Sequence, residues 1–187
     1  MKAIFLDRDG VINKYPGDTE YVKSWEEFHF LPDTKNALKK FNENGYKVFI
    51  ISNQAGVSKG VYSKKELDLI TENMLNELEK EDIHISGVFY CIHLPQDNCS
   101  CRKPGTGLIK QVQAAAEKQG EAIEFSKSFF VGDTIRDVET GKAAGLRTIL
   151  VFSGKEKPEN KSSWQYLPDF TCRNLLEAAE LILSKNK

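Results

Sequence analysis

Residues 3–10 read AIFLDRDG, four apolar residues that run directly into two acids and a glycine. An unbroken apolar run of this length is typical of a strand covered by helices on both faces of a parallel sheet. Such sheets bind ligands beyond the carboxyl ends of their strands. The octet therefore predicts an α/β fold and, at Asp7 and Asp9, a polar site at one edge of the sheet.

The rest of the chain repeats this alternation of short apolar runs and helical patterns, which predicts βαβ units. Asp33 would N-cap the first helix, and Gly45 and Gly120 lie where glycines end helices. We predict a single domain over residues 1–187, with a doubly wound (Rossmann-like) parallel sheet and helices on both faces. The predicted strands span residues 3–6, 47–51, 87–91, 128–131 and 148–151, and the predicted helices span 33–44, 64–81, 107–119, 135–144 and 173–184.

The composition is that of an ordinary globular protein, with 40% hydrophobic and 28% charged residues among 187. A formal net charge of −1 gives no field that would recruit nucleic acid or an anionic membrane. Near the amino terminus only residues 3–6 form an apolar run, too short for a signal-peptide core, and no run approaches the roughly 18 apolar residues of a membrane span. We therefore expect a cytoplasmic protein without nucleic-acid or membrane partners, and we take it to be a monomer.

The two acids after the first strand indicate a metal. Close carboxylates repel unless a cation lies between them, so Asp7 and Asp9 suit a hard divalent ion such as Mg²⁺, to which Asp133 would add a ligand. A loop of solvated acids is the simpler alternative. An EF-hand calcium loop fails, because its sixth position is Ile12 rather than Gly and its twelfth is Asp18 rather than Glu.

Polar residues also follow the other predicted strands. Ser52 and Asn53 follow the second strand, Arg102 and Lys103 lie beyond the third, and Asp133 follows the fourth. The carboxyl ends of parallel strands meet at one edge of a sheet. We therefore expect these side chains to converge on one active site with Asp7 and Asp9.

Three of the four cysteines crowd into one segment, as Cys91, Cys99 and Cys101, with His93 between them. Zinc binds four such ligands tetrahedrally, and three cysteines with one histidine are a usual structural set. Four protein ligands leave no open position, so we predict a structural zinc ion in an inserted loop over residues 91–101. Chance clustering, or a buried packing role for the cysteines, is the alternative.

Taken in order, these motifs resemble those of the haloacid dehalogenase superfamily. Residues 7–11 (DRDGV) resemble its first motif, Ser52 and Asn53 the second, Lys103 the third, and residues 132–137 (GDTIRD) the fourth. The resemblance covers nearly the whole chain, and four motifs in the right order are far more specific than any one of them.

That resemblance implies a magnesium-dependent phosphomonoesterase with an aspartyl-phosphate intermediate. Asp7 would attack phosphorus, and Asp9 would protonate the leaving alkoxide and then activate water. Magnesium would be held by Asp7, the backbone carbonyl of Asp9, and Asp133. The remaining implied roles are phosphate binding by Ser52, Asn53 and Lys103, and support of Lys103 by Asp137.

Within the superfamily, a zinc loop of this kind is similar to those of heptose bisphosphate phosphatases and histidinol-phosphate phosphatases. Residues 5–13 (FLDRDGVIN) and 52–57 (SNQAGV) resemble the first group, and the Glu-Pro and Phe-Gln usual in the second are absent. The first group implies a sugar bisphosphate substrate contacted by Tyr21, with its distal phosphate bound by Arg102. Thr134 departs from that group, at a position where some members place a substrate-binding lysine.

The spacing of the motifs leaves no room for a cap domain. Residues 14–46 and 61–86 each hold about one helix, so only residues 14–31 and the zinc loop would cover the site. We therefore expect a capless enzyme, and the resemblance to the first group implies that it releases the 7-phosphate of a heptose 1,7-bisphosphate. Histidinol-phosphate phosphatase and a non-catalytic phosphate-binding domain are the alternatives. A capless site could also accept a polynucleotide 3′-phosphate, which the near-neutral charge argues against.

Overall fold

The computed structural model, which describes residues 1–185, contains one sheet of six parallel strands. The strands are β1 (Ala3–Leu6), β2 (Lys47–Asn53), β3 (Gly87–Cys91), β4 (Phe129–Gly132), β5 (Arg147–Val151) and β6 (Phe170–Cys172). The α-helices are α1 (Thr34–Glu43), α2 (Lys64–Glu79), α3 (Gly107–Lys118), α4 (Ile135–Ala143) and α5 (Leu175–Ser184). The strand order is β3-β2-β1-β4-β5-β6.

Helices cover both faces of this sheet and bury two separate apolar clusters. On one face, α1, α2 and α5 contribute residues such as Phe41 and Met74 to the larger cluster. On the other face, Val112 of α3 packs with Phe5 and Phe130 of the sheet. All four residues of β1 are buried, as expected of a strand covered from both sides. The predicted doubly wound α/β fold is therefore confirmed.

The predicted elements are found with small shifts at their ends. Strand β2 runs on to Asn53, β4 is shifted by one residue, and helix α5 begins at Leu175, where the Asn174 side chain accepts from the N–H of Glu177. Strand β6 was not predicted, because three residues at a sheet edge are too short to show periodicity.

Asp33 lies at the N-cap position of α1, as predicted, but it does not cap the helix through its side chain. It adopts a left-handed conformation, with φ of 60°, and its side chain makes no capping hydrogen bond. Gly45 and Gly120 do follow the ends of α1 and α3 in left-handed conformations, as predicted.

The sheet reverses its winding between β1 and β4, which are hydrogen-bonded neighbours. A crevice opens outside the carboxyl ends of the strands at such a switch point. Over residues 1–185, α1 is the one α-helix between β1 and β2, and α2 the one between β2 and β3, so no cap domain interrupts the described fold. None of the helices described is long and apolar enough to cross a membrane. Asn186 and Lys187, the end of the predicted domain, lie outside the described residues.

Candidate active site

Asp7 is the first residue after β1 and lies at the switch point. Its N–H donates to the carbonyl of Val131 on β4 at 3.1 Å, which fixes the backbone between the two strands. Its Oδ2 lies 2.7 Å from Nζ of Lys103. Burial raises the pKa of Asp7, Lys103 opposes that rise, and Asp137 adds to it. The carboxylate is thus held at the sheet edge with one cation beside it.

Lys103 joins acids from two strand ends. Its Nζ also lies 2.6 Å from Oδ1 of Asp137, and the two side chains are only 2% and 1% exposed. The other oxygen of Asp137 accepts from the N–H and the hydroxyl of Thr134, at 3.1 and 2.6 Å. Burial alone would lower the pKa of Lys103, but Asp137 and Asp7 together raise it. Lys103 is therefore a buried cation, and both oxygens of Asp137 have partners, one in Lys103 and the other in Thr134.

Asp133 is enclosed by backbone. A Cβ atom on Gly10 would lie 2.3 Å from its Oδ2, and one on Gly154 would lie 2.1 Å away, so glycines alone fit on both sides. The N–H of Lys155 donates to the same oxygen at 2.8 Å. Burial, followed by the charges of Asp7 and Asp137, raises the pKa of Asp133 well above its usual value.

Three carboxylates surround one small volume at this point. One oxygen each from Asp7, Asp133 and Asp137 lie within 4.8 Å of one another. Hard oxygen donors at this spacing suit a divalent cation such as Mg²⁺. Asp7 and Asp133, the two predicted side-chain ligands, are both in this cluster, while Asp137 pairs with Lys103 and accepts from Thr134.

The Asp9 carboxylate is held by three side chains. Its Oδ1 accepts from Nδ2 of Asn13 at 2.8 Å and from the guanidinium of Arg8, while its Oδ2 accepts from Nε2 of Gln54 at 2.9 Å. Burial would lower the pKa of Arg8, but the ion pair with Asp9 raises it. Asp9 keeps 21% of its side chain exposed, so it is oriented and still open to the cleft.

The two polar residues at the end of β2 have different surroundings. Ser52 is buried, with its hydroxyl beside Asp7 and 3.2 Å from Nε2 of Gln54. The carboxamide of Asn53 instead clamps the backbone of Lys103. Its Nδ2 donates to the Lys103 carbonyl at 3.1 Å, and its Oδ1 accepts from the Lys103 N–H at 3.0 Å. The Asn53 side chain thus holds the backbone of Lys103, and its contact with phosphate stays a prediction.

The Cys/His cluster has the spacing of a tetrahedral metal site. The three sulfurs of Cys91, Cys99 and Cys101 lie 3.1 to 3.6 Å apart, and Nδ1 of His93 lies 3.2 Å from Cys101 and 3.6 Å from Cys91. Zinc–sulfur bonds of about 2.3 Å in a tetrahedron would place the sulfurs about 3.8 Å apart. The four side chains could therefore close around one ion with small shifts.

The thiols of the cluster differ in their ease of ionisation. Burial raises the pKa of Cys91 to about 12. For Cys99, burial is outweighed by hydrogen bonds from the backbone N–H of Arg102 and from the neighbouring thiols, which lower its pKa to about 7. The thiolate is the form that binds metal. Cys99 is thus more easily ionised than Cys91.

A cleft of about 200 Å³ is lined by the two predicted catalytic residues, Asp7 and Asp9. The predicted substrate residues Tyr21 and Arg102 also line it. A second cleft, of about 410 Å³, extends toward the Cys/His loop. Arg102 lines both clefts and donates from Nη1 to the carbonyl of His93 at 3.1 Å. Every predicted site residue therefore lies in the catalytic cleft or in the adjoining Cys/His cluster.

Several residues that the sequence did not single out also contribute to the site. Gln54 donates a hydrogen bond to Asp9, and its position next to the second motif is the sequence signal that could have identified it. Arg136 lies in the fourth motif and lines both clefts. Lys155 donates to Asp133 through its N–H, and its Nζ pairs with Asp18 at 2.7 Å across the cleft rim. Nothing in the sequence marked Lys155 beyond its position after β5.

The chain has relatives among known families and proteins. The family described as polynucleotide kinase 3 phosphatase matches residues 2–145. D-glycero-alpha-D-manno-heptose-1,7-bisphosphate 7-phosphatase of Photorhabdus laumondii is 36% identical over 95% of this chain and 97% of that protein. The D-glycero-beta-D-manno-heptose-1,7-bisphosphate 7-phosphatase of Helicobacter pylori strain J99 is also 36% identical, over 97% of both chains.

A solved structure shows the same architecture. The D,D-heptose 1,7-bisphosphate phosphatase of B. bronchiseptica, crystallised with magnesium and phosphate, superposes with a TM-score of 0.86. The two sequences are 29% identical, and the match covers 99% of each chain. The likeness therefore extends over the whole described domain and is not confined to the motifs.

Proposed function

Since the chain belongs to the polynucleotide kinase 3 phosphatase family of the haloacid dehalogenase superfamily, we propose that it is a magnesium-dependent phosphomonoesterase that removes the 7-phosphate of D-glycero-D-manno-heptose 1,7-bisphosphate. The observation that carries this proposal is the contact of buried Lys103 with both Asp7 and Asp137. A fixed cation beside a carboxylate nucleophile suits phosphoryl transfer, in which catalysis consists mainly of positioning and charge stabilisation. The named relatives supply the identity of the sugar.

Asp7 is the nucleophile of the first half-reaction. One of its oxygens bonds to the phosphorus of the 7-phosphate while the bond from phosphorus to the sugar oxygen breaks, which gives an aspartyl-phosphate. Asp9 transfers its proton to the departing alkoxide, so the sugar leaves as an alcohol. Lys103 and Ser52 stabilise the negative charge on the phosphoryl oxygens.

The second half-reaction returns the enzyme to its starting state. A water oxygen bonds to phosphorus while the bond from phosphorus to Asp7 breaks, and the water proton passes to Asp9. Asp9 ends protonated, as it began, and inorganic phosphate is released. The two half-reactions together consume one water for each ester bond broken.

Magnesium fits the donor set at the switch point. Asp7 and Asp133 would hold it through carboxylate oxygens, and the backbone carbonyl of Asp9 would be the third protein ligand. Gly10 and Gly154 leave Asp133 enclosed by backbone, so its carboxylate has little freedom to turn away from the ion. Bound magnesium would offset the repulsion between the Asp7 carboxylate and the phosphate.

Zinc fits the Cys/His cluster, where its role would be structural. Cys91, Cys99, Cys101 and His93 would fill all four positions. The bond from Arg102 to the carbonyl of His93 ties this loop to the catalytic cleft. Zinc would thereby fix the arginine that approaches the substrate.

Two arginines could bind the distal phosphate of a bisphosphate. Arg102 and Arg136 line both clefts, and the guanidinium of Arg136 has no hydrogen-bond or ion-pair partner within residues 1–185. Arginine suits phosphate because its planar fork donates two parallel hydrogen bonds. Tyr21, on the first loop, would contact the sugar. The relatives named for the alpha and for the beta anomer are each 36% identical to this chain, so both anomers should be assayed.

The proposal is tested by phosphate release from both anomers of heptose 1,7-bisphosphate, from histidinol phosphate and from a DNA oligonucleotide 3′-phosphate, with and without Mg²⁺. We expect strong preference for the heptose bisphosphate and no turnover without the ion. Preference for histidinol phosphate would assign the histidine pathway instead, and preference for the oligonucleotide would assign the substrate in the family's name. No turnover of any ester would leave only phosphate binding.

The nucleophile is tested by Asp7→Asn, which should lower kcat by at least about 10⁴-fold because loss of a nucleophile removes the covalent route. Asp68→Asn is the matched control, since Asp68 is an exposed acid on α2 that pairs with Lys64. Its activity should equal that of the wild type. Full activity of Asp7→Asn with an unchanged melting temperature would overturn the mechanism.

A further inference from the structure

Arg8 lies between the two catalytic aspartates in sequence, yet its side chain is fully buried. A guanidinium without water must be paired and hydrogen-bonded, or its desolvation costs several kcal/mol by order of magnitude. Here one nitrogen, Nη1, is buried without a hydrogen-bond partner within residues 1–185. An apolar side chain would fill this space at lower cost, so packing alone does not explain the arginine.

The other two nitrogens of Arg8 are directed at the Asp9 carboxylate. Nε donates to Oδ1 at 3.2 Å, and Nη2 donates to Oδ1 and Oδ2 at 3.0 and 3.1 Å. Nη2 also donates to Oε1 of Gln54 at 3.2 Å. Since a planar fork fixes both the position and the plane of the carboxylate that it meets, Arg8 determines how Asp9 faces the cleft.

The residues around this pair hold the fork itself in place. Oε1 of Gln54 accepts from the Tyr62 hydroxyl at 2.6 Å, and the central carbon of the Arg8 guanidinium lies 5.7 Å from the centre of the Tyr90 ring. The Tyr90 hydroxyl in turn accepts from Thr71 of α2 at 3.1 Å. A network of buried and half-buried side chains therefore runs from helix α2 to the exposed edge of Asp9.

From this arrangement we propose that Arg8 is a positioning residue, which fixes the Asp9 carboxylate for proton transfer to and from the substrate oxygen. This inference rests on the proposed aspartyl-phosphate mechanism. Arg8 is fully buried behind Asp9 and, unlike Lys103 and Ser52, does not line the described cleft, so it does not touch the phosphate. It acts on the reaction through Asp9 alone.

The test compares leaving groups, because an acid matters only where the departing oxygen needs a proton. Phosphoenzyme formation by the magnesium-loaded full chain would be measured in single turnovers with p-nitrophenyl phosphate and with a primary alkyl phosphate. The alkyl phosphate is the heptose bisphosphate, or glycerol 1-phosphate if the wild type rejects the heptose. A wild type that forms no phosphoenzyme would refute the proposed function itself, independently of Arg8.

We expect Arg8→Met to lower the alkyl rate about 100-fold, the order of magnitude that a placed acid supplies. The aryl rate should stay within about threefold of the wild type, because nitrophenolate leaves without a proton. Hydrolysis of the phosphoenzyme formed from p-nitrophenyl phosphate still needs Asp9, so a burst of nitrophenolate should precede slow turnover. If Arg8→Met slowed phosphoenzyme formation equally with the alkyl and the aryl phosphate, the proposal would be overturned.

A double-mutant cycle separates positioning from general damage. In the Asp9→Asn background there is no carboxylate to place, so adding Arg8→Met should change the single-turnover rates no further. If the rate reductions of the two single variants instead multiplied in the double variant, Arg8 would act through another group, and the inference would be overturned. If Arg8→Met does not fold, Arg8→Lys decides, because lysine keeps the buried charge but lacks the fork. It should show the same contrast between alkyl and aryl substrates, and uniform loss would count against positioning.

Discussion

The carboxylate cluster at the strand ends and the Cys/His cluster in the loop after β3 are built in different ways. In the first, Lys103, Asp133 and Asp137 are each 1% to 2% exposed, and strand ends, glycines and hydrogen bonds fix their positions. In the second, Cys91 is buried but His93 is exposed on an irregular loop. The fold itself therefore holds the first cluster in place, whereas we expect the second to depend on a bound ion for its order.

The two clusters meet at consecutive residues. Arg102 bonds to the loop through the carbonyl of His93, while Lys103 is clamped by Asn53 and paired with two acids. Disorder of the loop should therefore displace Arg102 but not Lys103, because Asn53 and the two acids hold Lys103 independently of the loop. Under the proposed function, substrate selection and phosphoryl transfer would therefore depend on separate structures, joined at the peptide bond between Arg102 and Lys103.

The largest effect is expected where a buried charge loses its partner. Lys103→Met removes the cation between Asp7 and Asp137, and breaking such a buried pair costs about 3–5 kcal/mol. The free energy of unfolding of the metal-free protein, measured in urea at neutral pH, should fall by that amount. The loss should shrink as pH falls and the stranded acids take up protons.

Lys142→Met is the matched control for that substitution. Lys142 pairs with Asp169 at 3.2 Å, but both side chains are 36% exposed. Exposed ion pairs contribute about 0–1 kcal/mol, so this variant should keep nearly the stability of the wild type. Similar losses in the two variants would mean that the ion pairs of the strand-end cluster are not protected from solvent as their burial implies.

A smaller effect of opposite sign is expected at Asp133. Because the pKa of Asp133 is raised in the fold, first by burial and then by Asp7 and Asp137, the neutral form is favoured there. Its contribution to stability is complete below the usual Asp pKa of about 4 and is lost as pH rises through the raised pKa. Asp133→Asn should therefore make the metal-free protein more stable at neutral pH, by about 1.4 kcal/mol for every tenfold weakening of the acid on folding.

Asp169→Asn is the control, because its effect on stability at neutral pH should have the opposite sign. Burial opposes ionisation of Asp169, but hydrogen bonds from Thr148 outweigh it and lower its pKa. The contribution of Asp169 is present above the usual Asp pKa and is lost as pH falls, so its variant should be less stable at neutral pH. Urea titrations from pH 4 to 8 check both, and magnesium should stabilise the wild type but not Asp133→Asn. A destabilised, pH-independent Asp133→Asn protein would contradict the assignment.

The strand-end cluster could largely be predicted from the sequence because strands impose regular geometry. Once β1 and β4 are neighbours, Asp7 and Asp133 must face the same crevice, and motif spacing then locates Ser52 and Lys103. The surroundings of each residue could not be predicted in this way. That Asn53 clamps Lys103 depends on the path of an irregular loop, which periodicity does not describe.

Three further features escaped prediction for different physical reasons. Arg8 carries a charge, so sequence reasoning places it in solvent, and its burial is explained only by the acid and amide that surround it. Lys155 reaches Asp133 through a backbone N–H, a contact for which side-chain identity gives no signal. Strand β6 is three residues long, too short for a pattern.

The smallest effect is expected from breaking the Cys/His cluster. Cys99→Ser, or chelation of zinc, should disorder the loop and release Arg102, whose bond to the carbonyl of His93 depends on the loop. We expect kcat/KM for the heptose bisphosphate to fall about tenfold, about 1.4 kcal/mol, the scale of one lost charge-assisted hydrogen bond. Turnover of p-nitrophenyl phosphate should change less than about threefold, because it has no distal phosphate and Lys103 keeps its supports.

Ser100→Ala is the control within the same loop, because Ser100 is exposed and lies between two ligand cysteines without being a ligand itself. Its kinetics and its amide hydrogen exchange should match the wild type, whereas Cys99→Ser should lose protection over residues 91–101. Equal losses on both substrates would show that the loop also supports Lys103, and the two clusters would then form one cooperative unit. Unchanged kinetics and protection after zinc removal would show that the cysteines serve packing alone.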